Sequence, residues 1–253
     1  MTNSYQNEVI WIIGASSGIG AALARELSAR GARLALSARR KGALETLKQS
    51  LGAEHKIFML DVTDSELVAR TAQAIRAAFG RMDRIIFLAA AYTPMKIDKL
   101  DLAMTRQIID VNLLGAFHVL DAVLPILKEQ QKGQIALCGS VAGYTGLPDG
   151  QPYSATKAGI INLAESLRSE LPKVIDVKLI SPGFVRSELT DKNDFKMPAI
   201  ISAERAATHI ADGLLGNGFE VHFPRRFTLW LKLLRILPYW LALRITKTFK
   251  HQE

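Results

Sequence analysis

The 253-residue sequence holds a single cysteine, Cys138. No intrachain disulfide is possible, and the chain suits a reducing compartment, so a cytoplasmic protein is expected. The N-terminus "MTNSYQNEVIWIIG" lacks a basic segment, and its apolar run is short and ends in a glycine turn. No signal peptide is expected there. Neither a linker, a repeat nor a low-complexity segment interrupts the chain before its C-terminal tail, and no metal site is expected. The body also lacks an excess of charge. Of the net +8, the stretch from Val221 to Glu253 carries seven Lys/Arg against one Glu, whereas the first 220 residues hold 25 basic and 23 acidic groups. A nucleic-acid-binding body would show a basic face, so no nucleic-acid partner is expected.

What remains is 49% hydrophobic and 22% charged, enough apolar material for a sizeable core. Short apolar runs at residues 8–14, 33–38, 56–60, 84–90, 135–140, 176–181 and 219–223 alternate with stretches of helical periodicity. Strands that are apolar throughout, separated by helices, form a parallel sheet covered on both faces. Right-handed crossovers then give a doubly wound α/β fold of about seven strands. One domain is expected over residues 1–223, followed by a helical extension over 224–253.

"IIGASSGIGAAL" falls between the first strand and the first helix, where a doubly wound fold binds a nucleotide. Gly14, Gly18 and Gly20 permit a tight turn, and the helix start offers N–H groups to a pyrophosphate. The spacing is G-x3-G-x-G rather than the commoner G-x-G-x-x-G. After the second strand, "LALSARRKG" has no carboxylate for a ribose hydroxyl and places Arg39 and Arg40 instead. Guanidinium groups there suit the extra phosphate of NADP(H). Asp61 follows the third strand at the sheet edge.

With these pieces in place the chain resembles the short-chain dehydrogenase/reductase family over roughly residues 8–222, a Rossmann fold. The matching segments are G-A-S-S-G-I-G (14–20), Asp61, V-N-L-L-G (111–115), Ser140, Y-S-A-T-K (153–157) and S-P-G-F-V-R-S (181–187). The resemblance implies hydride transfer between a nicotinamide and a carbonyl or alcohol carbon of a small molecule. It implies catalytic roles for Asn112, Ser140, Tyr153 and Lys157, with Asn112 binding a water that links Lys157 to solvent. It implies cofactor contacts from Gly14, Ser16, Ser17, Gly18, Ile19, Gly20, Arg39, Arg40, Asp61, Val62, Ala89, Ala90, Tyr153, Lys157, Pro182, Gly183, Val185 and Ser187, and a homo-oligomer. The sequence departs from the family at Ile13, where Thr is usual, and at Phe87, Leu88, Ala89 and Ala90, where Asn-Asn-Ala-Gly is usual. The bracing those asparagine side chains give must come from elsewhere.

Residue chemistry supports the same reading. A free tyrosine titrates near ~10, a poor match to neutral pH. Lys157, one helical turn from Tyr153, is expected to lower that value through its charge. Pro152 suits the start of that helix. Ser140 ends a strand and can donate to a substrate oxygen beside the phenol. His118, His209 and Cys138 have no catalytic partner in view and read as structural. Phe184, Leu189, Phe195 and Met197 are candidates for an apolar pocket wall. A cofactor-binding regulator or a membrane-surface scaffold without turnover is the alternative, but a regulator has no need of a proton donor and the scaffold reading rests on the tail alone.

The extension reads as amphipathic. In "FTLWLKLLRIL" (227–237), Thr228, Lys232 and Arg235 form one narrow polar stripe in an otherwise apolar segment. Pro238 breaks the helix, and "YWLALRITKTF" restarts it with Arg244, Lys247 and Thr248 on one side. Charges and the proline interrupt any run long enough to span a bilayer. Peripheral contact with a membrane surface through residues 225–250 is one expectation. The other is packing on the body or across a subunit interface.

Overall fold

The computed structural model describes residues 5–192 and 197–247. Seven parallel strands form one sheet: β1 (Val9–Ile13), β2 (Arg33–Ala38), β3 (Lys56–Met59), β4 (Arg84–Phe87), β5 (Gly133–Cys138), β6 (Ile175–Pro182) and β7 (Glu220–Phe223). Their order across the sheet is β3-β2-β1-β4-β5-β6-β7. The order reverses between β1 and β4, and the expected doubly wound architecture is present. Every residue of β1 is buried, as the unbroken apolar sequence requires for a strand covered on both sides.

Helices α1 (Gly18–Ala29), α2 (Lys41–Leu51) and α7 (Ala203–Leu215) cover one face of the sheet. Helices α3 (Ser65–Phe79), α5 (Gly115–Gln130) and α6 (Tyr153–Glu170) cover the other. A short helix α4 (Leu102–Ile109) runs through a π-turn, Asp110–Leu114, into α5. By length and composition alone the combined stretch Leu102–Gln130 could cross a bilayer. Its buried side chains Val119, Leu120, Val123 and Ile126 instead belong to the sheet-facing core, so it is a core helix.

The extension forms α8 (Arg225–Ile236) and α9 (Tyr239–Lys247), broken at Pro238 as expected. Thr248 lies outside the described residues. Leu231 and Leu234 of α8 are buried in the same core as α6. The polar stripe contacts the body. Thr228 Oγ1 lies 2.6 Å from His222 Nδ1. Lys232 pairs with Glu220 of β7, and Arg235 reaches Glu165 of α6 at 3.7 Å. Burial pushes the Glu220 carboxyl up, but hydrogen bonds from Lys232 and Tyr144 hold it below the usual carboxylate range.

The turn after β1 fixes the start of α1. Gly14 has φ +100, and a Cβ there would sit 2.8 Å from Ala89 N. A Cβ on Gly20 would meet Gly14 O at 2.1 Å. Gly20→Ala is therefore expected to cost at least about 2 kcal/mol, a fall of ~4–8 °C in Tm. Gly42→Ala, in α2 with nothing within 4 Å of the new methyl, is the control and should hold or raise Tm. Calorimetry of the two variants checks the pair; equal Tm values would show that the turn tolerates a side chain.

Candidate active site

The carboxyl ends of six strands surround a cleft of about 440 Å³. It opens where the strand order reverses, the position at which open α/β sheets bind ligands. Gly14, Ser16, Ser17, Gly18, Ile19 and Gly20 form one wall, from the β1–α1 turn. Arg39 and Arg40 after β2, and Asp61 and Val62 after β3, close one end. Ala89 and Ala90 follow β4, Ser140 follows β5, and Tyr153 and Lys157 project from the first turns of α6. Pro182, Gly183, Val185 and Ser187 supply the far wall. Residues 13 to 190 of the sequence thus converge on one space.

Asn112 is the exception, because it does not line the cleft. It is fully buried, and its Oδ1 accepts from Ala91 N at 2.6 Å. Its Nδ2 donates to Ala91 O at 2.9 Å and to Thr156 Oγ1 at 3.2 Å. The side-chain amide is spent on protein partners. The same bonds brace the loop after β4, supplying from α6 and the π-turn the support that Leu88 and Ala89 cannot give.

The cleft end near Arg40 is electrostatically built. Arg40 Nη1 lies 3.0 Å from a Glu188 carboxylate oxygen, and Arg40 Nε is 3.3 Å from Ser16 Oγ. Arg39 Nη1 stands 3.9 Å from Asp61 Oδ2. Asp61 Oδ1 in turn accepts from Thr63 N and Oγ1 at 3.0 and 2.8 Å. Helix α1 opens at the cleft with no side chain capping it from Ser17. A helix start without a side-chain cap, two glycines with no room for a Cβ, and two guanidinium groups fit a dinucleotide with its phosphates on that wall.

At the other end, Ser140 Oγ accepts from Ala142 N at 3.1 Å. Tyr92 packs edge-on against the Tyr153 ring, with centroids 5.1 Å apart. Lys157 Nζ lies 5.4 Å from the Tyr153 ring centroid and donates to Cys138 O at 2.7 Å. Among the described residues that is the one hydrogen bond Lys157 makes, although an ammonium carries three donors. Burial pushes the Tyr153 phenol well above its ordinary range, against a weaker downward pull from a hydrogen bond to Ser140. Burial also pushes the Lys157 ammonium down. The expected lowering of the phenol by Lys157 is therefore corrected: burial dominates, and the phenol is raised. Burial likewise raises the Cys138 thiol, which keeps it unreactive.

His118 bonds Val62 O through Nδ1 at 2.8 Å, and His209 stacks on Phe223. Leu189 lines the cleft, whereas Phe184 packs against Phe227 of α8 with ring centroids 5.9 Å apart. Phe195 lies outside the described residues. Glu188 and Tyr92 are the site neighbours that sequence reasoning missed. Glu188 meets Arg40 across 148 positions and Tyr92 meets Tyr153 across a loop, and no local pattern announces either contact.

The sequence model of the family described as short chain dehydrogenase matches residues 8–197. An uncharacterized oxidoreductase from Myxococcus xanthus is 34% identical over 231 residues, covering 90% of this chain and 91% of that protein. The 3-oxoacyl-[acyl-carrier-protein] reductase FabG of Escherichia coli is 31% identical over 219 residues, covering 86% and 88%. Among solved structures, a short chain dehydrogenase/reductase from Burkholderia phymatum in complex with NAD superposes with a TM-score of 0.85. It is 22% identical, over 92% of this chain and 94% of that one, and supports the fold. With this sheet order, this cleft and these relatives, the chain belongs to the short chain dehydrogenase family and is an oxidoreductase.

Proposed function

We propose that this protein is an NADP(H)-dependent reductase of an apolar ketone or aldehyde, working in the cytoplasm as a homo-oligomer. The observation that carries the reading is the convergence of Ser140, Tyr153 and Lys157 at one end of a cleft whose other end holds Arg39 and Arg40. A nicotinamide cofactor held in this cleft would supply the hydride. The protein supplies orientation and a proton.

Ser140 holds the carbonyl oxygen beside the phenol. Tyr153, with its pKa raised, stands protonated at neutral pH, which is the state a reduction needs from its acid. As negative charge develops on the oxygen, the Tyr153 proton moves to it. The resulting phenolate is stabilised by the Lys157 ammonium, whose two remaining donors are available to the cofactor ribose. Asn112 acts as a positioning residue through Ala91 and Thr156. Arg39 and Arg40 favour the cofactor with the additional phosphate, which competes with Glu188 for Arg40. An apolar substrate is supported by Leu189 on the wall and by the relative named as a reductase of 3-oxoacyl groups. Exposed Leu114 and Phe117 at the start of α5 are consistent with burial between subunits.

Tyr153→Phe is expected to lower kcat by about 10²–10⁴-fold, with cofactor affinity nearly unchanged. Stopped-flow reduction of a graded ketone and aldehyde panel, with cofactor titration by fluorescence, checks both; near-full activity in the variant would remove Tyr153 as the acid. Because the acid must be protonated, reductive kcat/KM should be level near neutrality and fall on the alkaline side. A profile that instead falls as pH drops below 7 would contradict a protonated Tyr153.

NADPH should bind more tightly than NADH, by about tenfold or more for each guanidinium contact, since a charge-assisted bond contributes ~1.5–3 kcal/mol. Arg39→Ala and Arg40→Ala should each erode that preference. Isothermal titration with both cofactors checks it, and equal affinities in the wild type would overturn the NADP(H) reading.

A further inference from the structure

Helix α8 inverts the usual arrangement of a surface helix: its polar stripe contacts the body, through Thr228 to His222, Lys232 to Glu220 and Arg235 to Glu165, and α9 follows it. The outward arc of the two helices carries Leu229, Leu233, Ile236, Tyr239, Trp240 and Leu243, all exposed. Ile236, Tyr239 and Trp240 are 79%, 86% and 71% exposed. Apolar exposure on this scale is rare on a solvated surface and marks an interaction site. The same arc presents Arg225, Arg226, Arg244 and Lys247, also exposed, and neither helix contains a carboxylate.

From these observations we infer that α8 and α9 dock the protein in plane on an anionic lipid surface. The six apolar and aromatic side chains enter the headgroup–acyl boundary, and the four cations meet lipid phosphates. Three features select lipid over other occupants. A helix of 12 residues is about 18 Å long at 1.5 Å per residue, too short to span a bilayer but suited to lying on one. Tyr239 and Trp240, the most amphipathic of the exposed groups, are the residue types that settle at headgroup depth. A second copy of the same face, brought up across a two-fold axis, would set cations against an apolar patch that offers no carboxylate in return.

The docked helix also touches the cleft. A Cβ on Gly183, which lines the cleft, would lie 3.1 Å from Phe227 Cδ1, and Phe227 packs on Phe184. Docking therefore places that cleft wall beside the lipid, where an apolar carbonyl compound is concentrated. This adds a location to the proposed reduction, yet it stands or falls by lipid binding and not by turnover.

The experiment is flotation of the full chain with phosphatidylcholine vesicles, with and without 30 mol% phosphatidylglycerol, at low and high salt. The wild type should float with the anionic vesicles and stay behind with the neutral ones at low salt. Binding should weaken about fivefold for each of Arg225→Ser and Arg226→Ser. Leu233→Glu and Trp240→Glu should lose at least about tenfold, while soluble turnover and Tm stay at wild-type values because both side chains point outward. Brominated phospholipid should quench fluorescence in the wild type and less so in Trp240→Phe, which leaves the half-exposed Trp230 and the fully buried Trp11. The inference is overturned if the wild type floats with neither vesicle. It is equally overturned if Leu233→Glu and Trp240→Glu float as well as the wild type, or if these variants instead dissociate a wild-type dimer that does not bind vesicles.

Discussion

The contact on which this molecule depends is the one between the turn after β1 and the loop after β4. Gly14 lies against Leu88 and Ala89 so closely that a Cβ would be 2.8 Å from a backbone nitrogen, and Gly20 lies against Gly14 O. That double approach points the start of α1 into the crevice where the strand order reverses. Had either position carried a side chain, the helix would stand off the sheet and its free N–H groups would point elsewhere. The strand ends that carry the arginines, the serine and the far wall are placed by the sheet register, but they form a site only because the glycine wall comes close enough to share it.

Burial then sets the chemistry. Lys178 and Lys157 are both almost fully buried, and their surroundings differ. Lys178 donates to Gly216 O and Gly218 O, each at 2.6 Å, and pairs with Asp176, so its donors are satisfied by the fold. Among the described residues Lys157 is given only Cys138 O. A buried ammonium with unspent donors is costly to the fold, and the cost is borne at the position where a ligand can repay it. The raised phenol beside it follows from the same desolvation. Asn112 clamps Ala91 and Thr156 and holds the loop after β4 to α6.

The C-terminal helices extend this economy. Lys232 and Arg235 would ordinarily mark the solvent side of an amphipathic helix, but Glu220 and Glu165 wait for them on the body. An ion pair that is partly screened from water favours the inward orientation, and Leu231 and Leu234 bury beside it. The apolar arc is then left facing out.

The sequence alone determined the layered fold, because runs such as "EVIWIIG" are apolar at every position and only a strand covered on both faces accommodates that. It also determined the glycine turn, through its spacing after the first strand, and pointed to the Ser140, Tyr153 and Lys157 set through its resemblance to the family. Both helices of the extension and their break at Pro238 were legible from local spacing. Tertiary structure alone decided that Arg40 faces Glu188, that Asn112 spends its amide on the β4 loop, and that Tyr153 is shifted upward. It also decided which arc of α8 meets solvent. Periodicity separates the two faces of a helix but does not say which one meets the body, and a pKa answers to water excluded by residues far away in the chain.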